Sequence, residues 1–141
     1  ACMPCESSSV IQCSTNGVEP IRSLITYKMS KMGKLPVLVP GIGKFEGNYE
    51  LAYDFKDNSG LLKINAIIQK YIDMAISTNL YYNYSHYENN VLPDAKVMKE
   101  IMQAYSLGLI SLYYNNTDDG DKEQLMNQKE DRDCSSGACK L

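Results

Sequence analysis

At Asn115 the texture of the chain changes abruptly. Residues 115–133, NNTDDGDKEQLMNQKEDRD, carry many charges and few apolar side chains. Such a stretch cannot bury enough surface to offset the entropy of ordering it. It divides the chain into a part able to fold, residues 1–114, and a solvated, disordered tail, residues 115–141. The tail closes on DCSSGACKL, in which Cys134 and Cys139 flank four small residues. They hang on a tether of roughly 19 residues, with an r.m.s. reach of about 24 Å. The two thiols are therefore expected to be mobile and able to visit more than one place.

The folded part is one domain's worth of chain. Hydrophobic residues make up 44% of the sequence, enough for a core, and 14 basic against 17 acidic residues leave a net charge of −3. A mildly acidic chain with no basic run lacks the electrostatic footprint of a nucleic-acid binder. No apolar stretch approaches the length of about 20 residues that a membrane helix needs. The start, ACMPCESSS, lacks the charged and apolar regions of a secretory signal. Five cysteines are an odd number in a chain of ordinary apolar content, which makes a poor disulfide scaffold and points to a reducing, cytoplasmic setting.

Pattern places the elements. PCESSSVIQC, followed by Asn16-Gly17, predicts a short helix with a capped start and a glycine stop. IRSLITYKM and KLPVLVP flank residues 30–33 and predict a hairpin. NYELAYDF (48–55) alternates as a strand does. LLKINAIIQKYIDMAIS (61–77) predicts a helix with an apolar face at 61, 64, 68, 71, 72 and 75. Residues 78–92, rich in Tyr and Asn, read as loop. Pro93-Asp94 opens a helix with Val97, Ile101, Met102 and Tyr105 on its apolar side and Gly108 at its end. LISLYY (109–114) reads as a short buried strand.

Several groups could carry chemistry, each beside a plainer reading. Small residues between Cys134 and Cys139 let the sulfurs approach to about 2 Å, which suits thiol–disulfide exchange; the alternative is an incidental pair at a frayed end. Cys2 and Cys5 form C-x2-C and, with the tail pair, could make a four-cysteine zinc site. PCESSS at a helix start offers amides and hydroxyls to an anion, or is simply a capped helix. Tyr113-Tyr114 could pass an electron and a proton together, or be core aromatics; adjacent residues on a regular strand point to opposite faces. PGIGKFEG (40–47) has the glycines of a phosphate loop, but no helical pattern opens behind it, and it reads as a turn between strands. YYNYSHY (81–87), with the single His86, reads as a packed surface loop.

PCESSS, LYYNNT and CSSGACKL occur together and in this order, supported by STNGVEP, QKYIDMAIS and AYSLGLISLYYNNT. In this combination the chain resembles the C-terminal portion of the class I (class Ia) ribonucleotide reductase large (alpha) subunit. The resemblance implies an α/β fold: the closing part of a ten-stranded α/β barrel, with a β-hairpin region and a flexible tail. It implies that Pro4, Cys5, Glu6, Ser7 and Ser8 hold the diphosphate of a ribonucleoside diphosphate. Cys5 stands where a serine is common in the family. Tyr113 and Tyr114 match the stacked pair that relays a radical from the small (beta) subunit, whose diiron–tyrosyl centre is the cofactor; none is bound by this chain, and it holds no metal. Cys134 and Cys139 match the tail dithiol that re-reduces the active site and is itself reduced by thioredoxin or glutaredoxin.

The family's radical-forming cysteine, its other catalytic groups and its regulatory nucleotide sites lie upstream of the phosphate loop. Cys2 and Cys13 fall outside the matching motifs and are expected to be non-catalytic. The expectation is an incomplete domain: one piece of a split large subunit or a fragment, inactive alone, partnered by an N-terminal large-subunit piece and the small subunit. Ala1 fits an encoded start whose initiator Met was removed. The rival reading is a non-enzymatic, zinc-stabilised interaction module built on Cys2, Cys5, Cys134 and Cys139.

Overall fold

The computed structural model of the chain describes residue 2 and residues 5–30 and 33–118. Helix α1 (Glu6–Ile11) comes first, then strands β1 (Ile25–Ser30) and β2 (Gly33–Leu38), helix α2 (Ser59–Gln69), strand β3 (Thr78–Asn83), helix α3 (Asp94–Ser106) and strand β4 (Leu112–Asp118). Strands β1 and β2 form the expected antiparallel hairpin, with Ile25 opposite Leu38 and Ser30 opposite Gly33. Strands β3 and β4 are parallel. A parallel pair needs a crossover, and α3 supplies it, so residues 78–118 form a βαβ unit.

Strand β3 is the centre of the molecule, although its sequence reads as loop. Its first five residues are all buried, as in strands covered on both faces, which lose the polar–apolar alternation that sequence patterns detect. Leu80 and Tyr82 pack with Leu62 of α2 and Ala104 of α3, with Val97, Leu107 and Leu112 against them. Tyr81 points to the other face and joins Ala52, Tyr53 and Leu61, its ring edge-on to Tyr53 at 5.8 Å between centroids. The period-2 geometry of a strand thus divides the core into two clusters.

Other expectations change in physically specific ways. No strand forms over 48–55; instead, 3₁₀ turns occupy Glu46–Asn48 and Ala52–Asp54. The second turn buries the adjacent Ala52 and Tyr53 together, and the Ala52 amide donates to Ile21 O at 2.8 Å. PGIGKFEG is a turn, as expected, but a 3₁₀ turn rather than a strand follows it. Gly41 sits there at φ +65, where a Cβ would lie 2.6 Å from the Phe45 ring.

Helix α2 ends at Gln69 rather than continuing to residue 77. The Gln69 side chain folds over the exit: its Nε2 donates to Ile72 O and Met74 O at 2.9 and 3.0 Å, and its Oε1 accepts from the Ile76 amide at 3.2 Å. The face expected inside is partly outside, with Ile64 and Tyr71 exposed while Leu62, Asn65 and Ala66 are buried. Helix α3 keeps its expected bounds but turns Glu100 and Ala104 inward, leaving Ile101, Met102 and Tyr105 exposed. Glu100 can be buried because it is fully engaged: it accepts from the Asn58 amide (3.1 Å), from Asn58 Nδ2 (2.8 Å) and from Lys96 Nζ (2.9 Å). The buried Tyr82 hydroxyl lies close enough to feel this carboxylate but outside hydrogen-bond geometry. Burial first, then the close approach of the hydroxyl to the Glu100 carboxylate and the charge it carries, push its ionisation above the ordinary phenol range.

Candidate functional site

Strand β4 brings Tyr113 and Tyr114 onto one side, which a regular strand would not do. The register explains it. Thr78 pairs with Leu112, but Leu80 pairs with Asn115, so one residue of β3, Asn79, faces two residues of β4, Tyr113 and Tyr114. This is a β-bulge, which bends the strand and re-aims its side chains. The two rings lie 4.0 Å apart between centroids, tilted by 50°, and the Tyr113 hydroxyl donates to the Tyr114 hydroxyl at 3.1 Å. Both rings are about half exposed, at 59% and 47%, so the strand expected to be buried presents these two phenols to the surface. It also runs on to Asp118 rather than stopping at Tyr114.

The bulge disrupts the ladder, and a side chain repairs it. The Tyr114 amide donates to Asn79 Oδ1 at 3.0 Å. Asn79 Nδ2 donates to Glu19 Oε1, and the other oxygen of Glu19 accepts from the Tyr81 hydroxyl at 3.0 Å. Burial, and next the Glu19 charge, push the Tyr81 phenol up to about 12, so it remains a donor. Arg22 lies 5.8 Å over the Tyr81 ring and donates to Asn116 Oδ1 at 3.2 Å, while Asn116 Nδ2 reaches Leu80 O at 3.3 Å. Sequence reasoning assigned no role to Glu19, Arg22, Asn79 or Asn116. Glu19 lies within the quoted STNGVEP stretch and Asn116 within LYYNNT, the two hints available.

The helix start is placed as expected, with differences. Cys5 occupies the N-cap of α1, but its side chain does not cap the helix. The Cys5 thiol donates instead to Asn16 Oδ1 at 3.3 Å. Ser7 and Ser8 are exposed and Ser9 is buried. The helix stops at Ile11, ahead of the expected Asn16-Gly17 signal, and Cys13 follows in the left-handed region at φ 49. Pro4, Cys134 and Cys139 lie outside the described residues, as does the Glu6 side chain. Cys2, Cys5 and Cys13 are free thiols. Among the described residues, no three His, Cys, Asp or Glu side chains gather as metal ligands, and no helix is long and apolar enough to cross a membrane.

Comparison with known proteins decides the family. The family profile described as "Ribonucleotide reductase, barrel domain" matches residues 1–45 and 43–115. The chain belongs to this family. The ribonucleoside-diphosphate reductase alpha subunit of Buchnera aphidicola subsp. Baizongia pistaciae is 41% identical over 144 residues, covering all of this chain and 19% of that protein. The reductase 1 alpha subunit of Escherichia coli K12 is 39% identical with the same coverage, and that of phage T4 is 36% identical over 150 residues. The chain thus spans about a fifth of the length of the curated relatives it matches. The likeness to a reductase large subunit, read first from three motifs, extends along the whole chain. Of the barrel itself, the described residues hold a mixed helix-and-strand portion with one parallel strand pair.

Proposed function

We propose that this chain supplies three working parts of a cytoplasmic ribonucleoside-diphosphate reductase large subunit. The observation that carries the reading is the Tyr113–Tyr114 contact, two phenols joined hydroxyl to hydroxyl at 3.1 Å. In each hop the radical oxygen of one tyrosine takes an electron from the other phenol together with its proton, so the donor becomes the radical and the acceptor is restored to a phenol. The pair would connect the tyrosyl radical of the small subunit, generated at its diiron centre, to a cysteine in the upstream part of the large subunit.

The start of α1 would hold the substrate. Amides from Pro4 through Ser8, with the Ser7 and Ser8 hydroxyls, would receive the diphosphate at the positive end of the helix. Proline contributes no N–H, so Cys5, Glu6, Ser7 and Ser8 carry the donors. Cys5 would act through its backbone, with its thiol directed to Asn16.

The tail would restore the enzyme. Reducing one ribonucleotide leaves two active-site thiols oxidised to a disulfide. A thiolate of Cys134 or Cys139 attacks it, a mixed disulfide forms, and the second tail thiol resolves it. The active site regains two thiols, the tail holds the disulfide, and thioredoxin or glutaredoxin reduces the tail. Tethering keeps the dithiol at roughly millimolar effective concentration.

Reconstitution tests the reading. The chain is co-expressed with the upstream part of a large subunit, as a separate polypeptide or fused ahead of it, and with the small subunit, and CDP reduction is assayed. Activity only when all parts are present is the expected result. Neither association nor activity would overturn it.

A further inference from the structure

We propose that Asn79 and Glu19 are positioning residues for the tyrosine pair: Glu19 orients the Asn79 amide, and Asn79 holds the bulge that turns Tyr113 and Tyr114 to the same side. The inference rests on the radical-relay reading above and adds to it the groups on which the relay geometry depends.

The argument starts from the register. One extra residue in β4 must be accommodated opposite Asn79. A bulged strand leaves one amide without its backbone partner, and a buried amide without a partner costs free energy. The Tyr114 amide finds Asn79 Oδ1 at 3.0 Å, so the side chain of β3 replaces the missing rung. An amide side chain can turn over and present its NH₂ instead. Glu19 prevents this, because its carboxylate only accepts and therefore binds Asn79 Nδ2, leaving Oδ1 for Tyr114. Glu19 is itself held from the other side by the Tyr81 hydroxyl at 3.0 Å. Along Tyr81–Glu19–Asn79–Tyr114, Glu19 accepts from both sides, from the Tyr81 hydroxyl and from Asn79 Nδ2, and Asn79 Oδ1 accepts from the Tyr114 amide. This chain of bonds ends on the backbone of the residue whose ring lies 4.0 Å from that of Tyr113.

Coupled transfer of a proton and an electron depends steeply on the hydroxyl separation, and small misplacements of reacting groups cost large factors in rate. Release of the Tyr114 amide lets the bulge slip or migrate, which moves one ring relative to the other.

The test uses the assembled reductase with CDP as substrate and DTT as reductant, so that the tail dithiol is not required. Asn79→Leu is expected to lower kcat by about tenfold or more while KM for CDP and affinity for the small subunit stay unchanged. Asn79→Asp keeps an acceptor for Tyr114 but sets two carboxylates face to face, so kcat falls. Adding Glu19→Gln restores it, because the glutamine NH₂ donates to the new carboxylate while its carbonyl accepts from Tyr81. A wild-type kcat in Asn79→Leu overturns the proposal, and so does an Asn79→Asp/Glu19→Gln pair no more active than Asn79→Asp alone. The second comparison decides even if the leucine variant does not fold. Failure of the relay reading shows separately, as full activity in Tyr113→Phe or Tyr114→Phe.

Discussion

The side chain of Asn58 bonds both backbone polar groups of Tyr81: its Oδ1 accepts from the Tyr81 amide at 2.9 Å and its Nδ2 donates to the Tyr81 carbonyl at 3.1 Å. Within a strand the N–H and C=O of one residue point to the same edge, so the amide acts as a one-residue strand on the side of β3 that β4 does not cover. The same Nδ2 also donates to Glu100. One fully buried side chain thereby joins the start of α2, the centre of β3 and the inner face of α3.

Asn58→Ala leaves the Tyr81 amide and carbonyl buried without partners and removes a donor from Glu100. Each unsatisfied buried group costs about 1–3 kcal/mol, so the expected loss is about 2–4 kcal/mol, read as a lower urea midpoint. A loss near that of an exposed substitution would show that water replaces the amide.

Acid should destabilise the fold through Glu100. Burial opposes its charge, but hydrogen bonds from Lys96 and Asn58 outweigh this, and the carboxyl is held below its ordinary value of 4.5. A depressed folded pKa means that its contribution is fully present above the ordinary glutamate range and is lost as pH falls through the folded value. The urea midpoint should therefore decline below about pH 4.5, and Glu100→Gln should be less stable near neutrality and show a shallower acid decline. An unchanged acid slope in that variant would assign the decline to other carboxylates.

Tyr113→Phe and Tyr114→Phe each remove a hydroxyl from the 3.1 Å contact but leave the Tyr114 amide, and hence the bulge, in place. Turnover of the assembled enzyme should be abolished in both, with small-subunit affinity and thermal midpoint close to wild type. Loss of assembly would instead make the pair part of a docking surface.

Cys134→Ser and Cys139→Ser should stop turnover driven by thioredoxin or glutaredoxin and spare turnover driven by DTT, which reaches the active-site disulfide directly. Loss of both activities would argue for a structural role. Retention of both would leave the pair without a part in re-reduction.

Legibility in the sequence followed how local each determinant was. The β1–β2 hairpin was visible because two β-rich runs flank a short link with Gly33, and α3 was visible between Pro93-Asp94 and Gly108. These signals lie within a few residues of what they control. Strand β3 was not visible, because burial on both faces removes alternation and because Asn79 and Asn83 find partners far along the chain, at Glu19 and Tyr53. The inward turn of Glu100 was equally hidden, since a charge on a helix reads as solvent-facing until Asn58 is known to meet it.

The sequence by itself determined the family, through motifs in a set order, and named the two tyrosines, the serine-rich helix start and the tail thiols as the groups to watch. Only the tertiary structure decided how the tyrosines meet. Side-chain direction on a strand depends on register, register depends on the partner strand, and here the partner supplies a single residue, Asn79, opposite two. That relationship lies across 35 residues of chain, where no local pattern can express it.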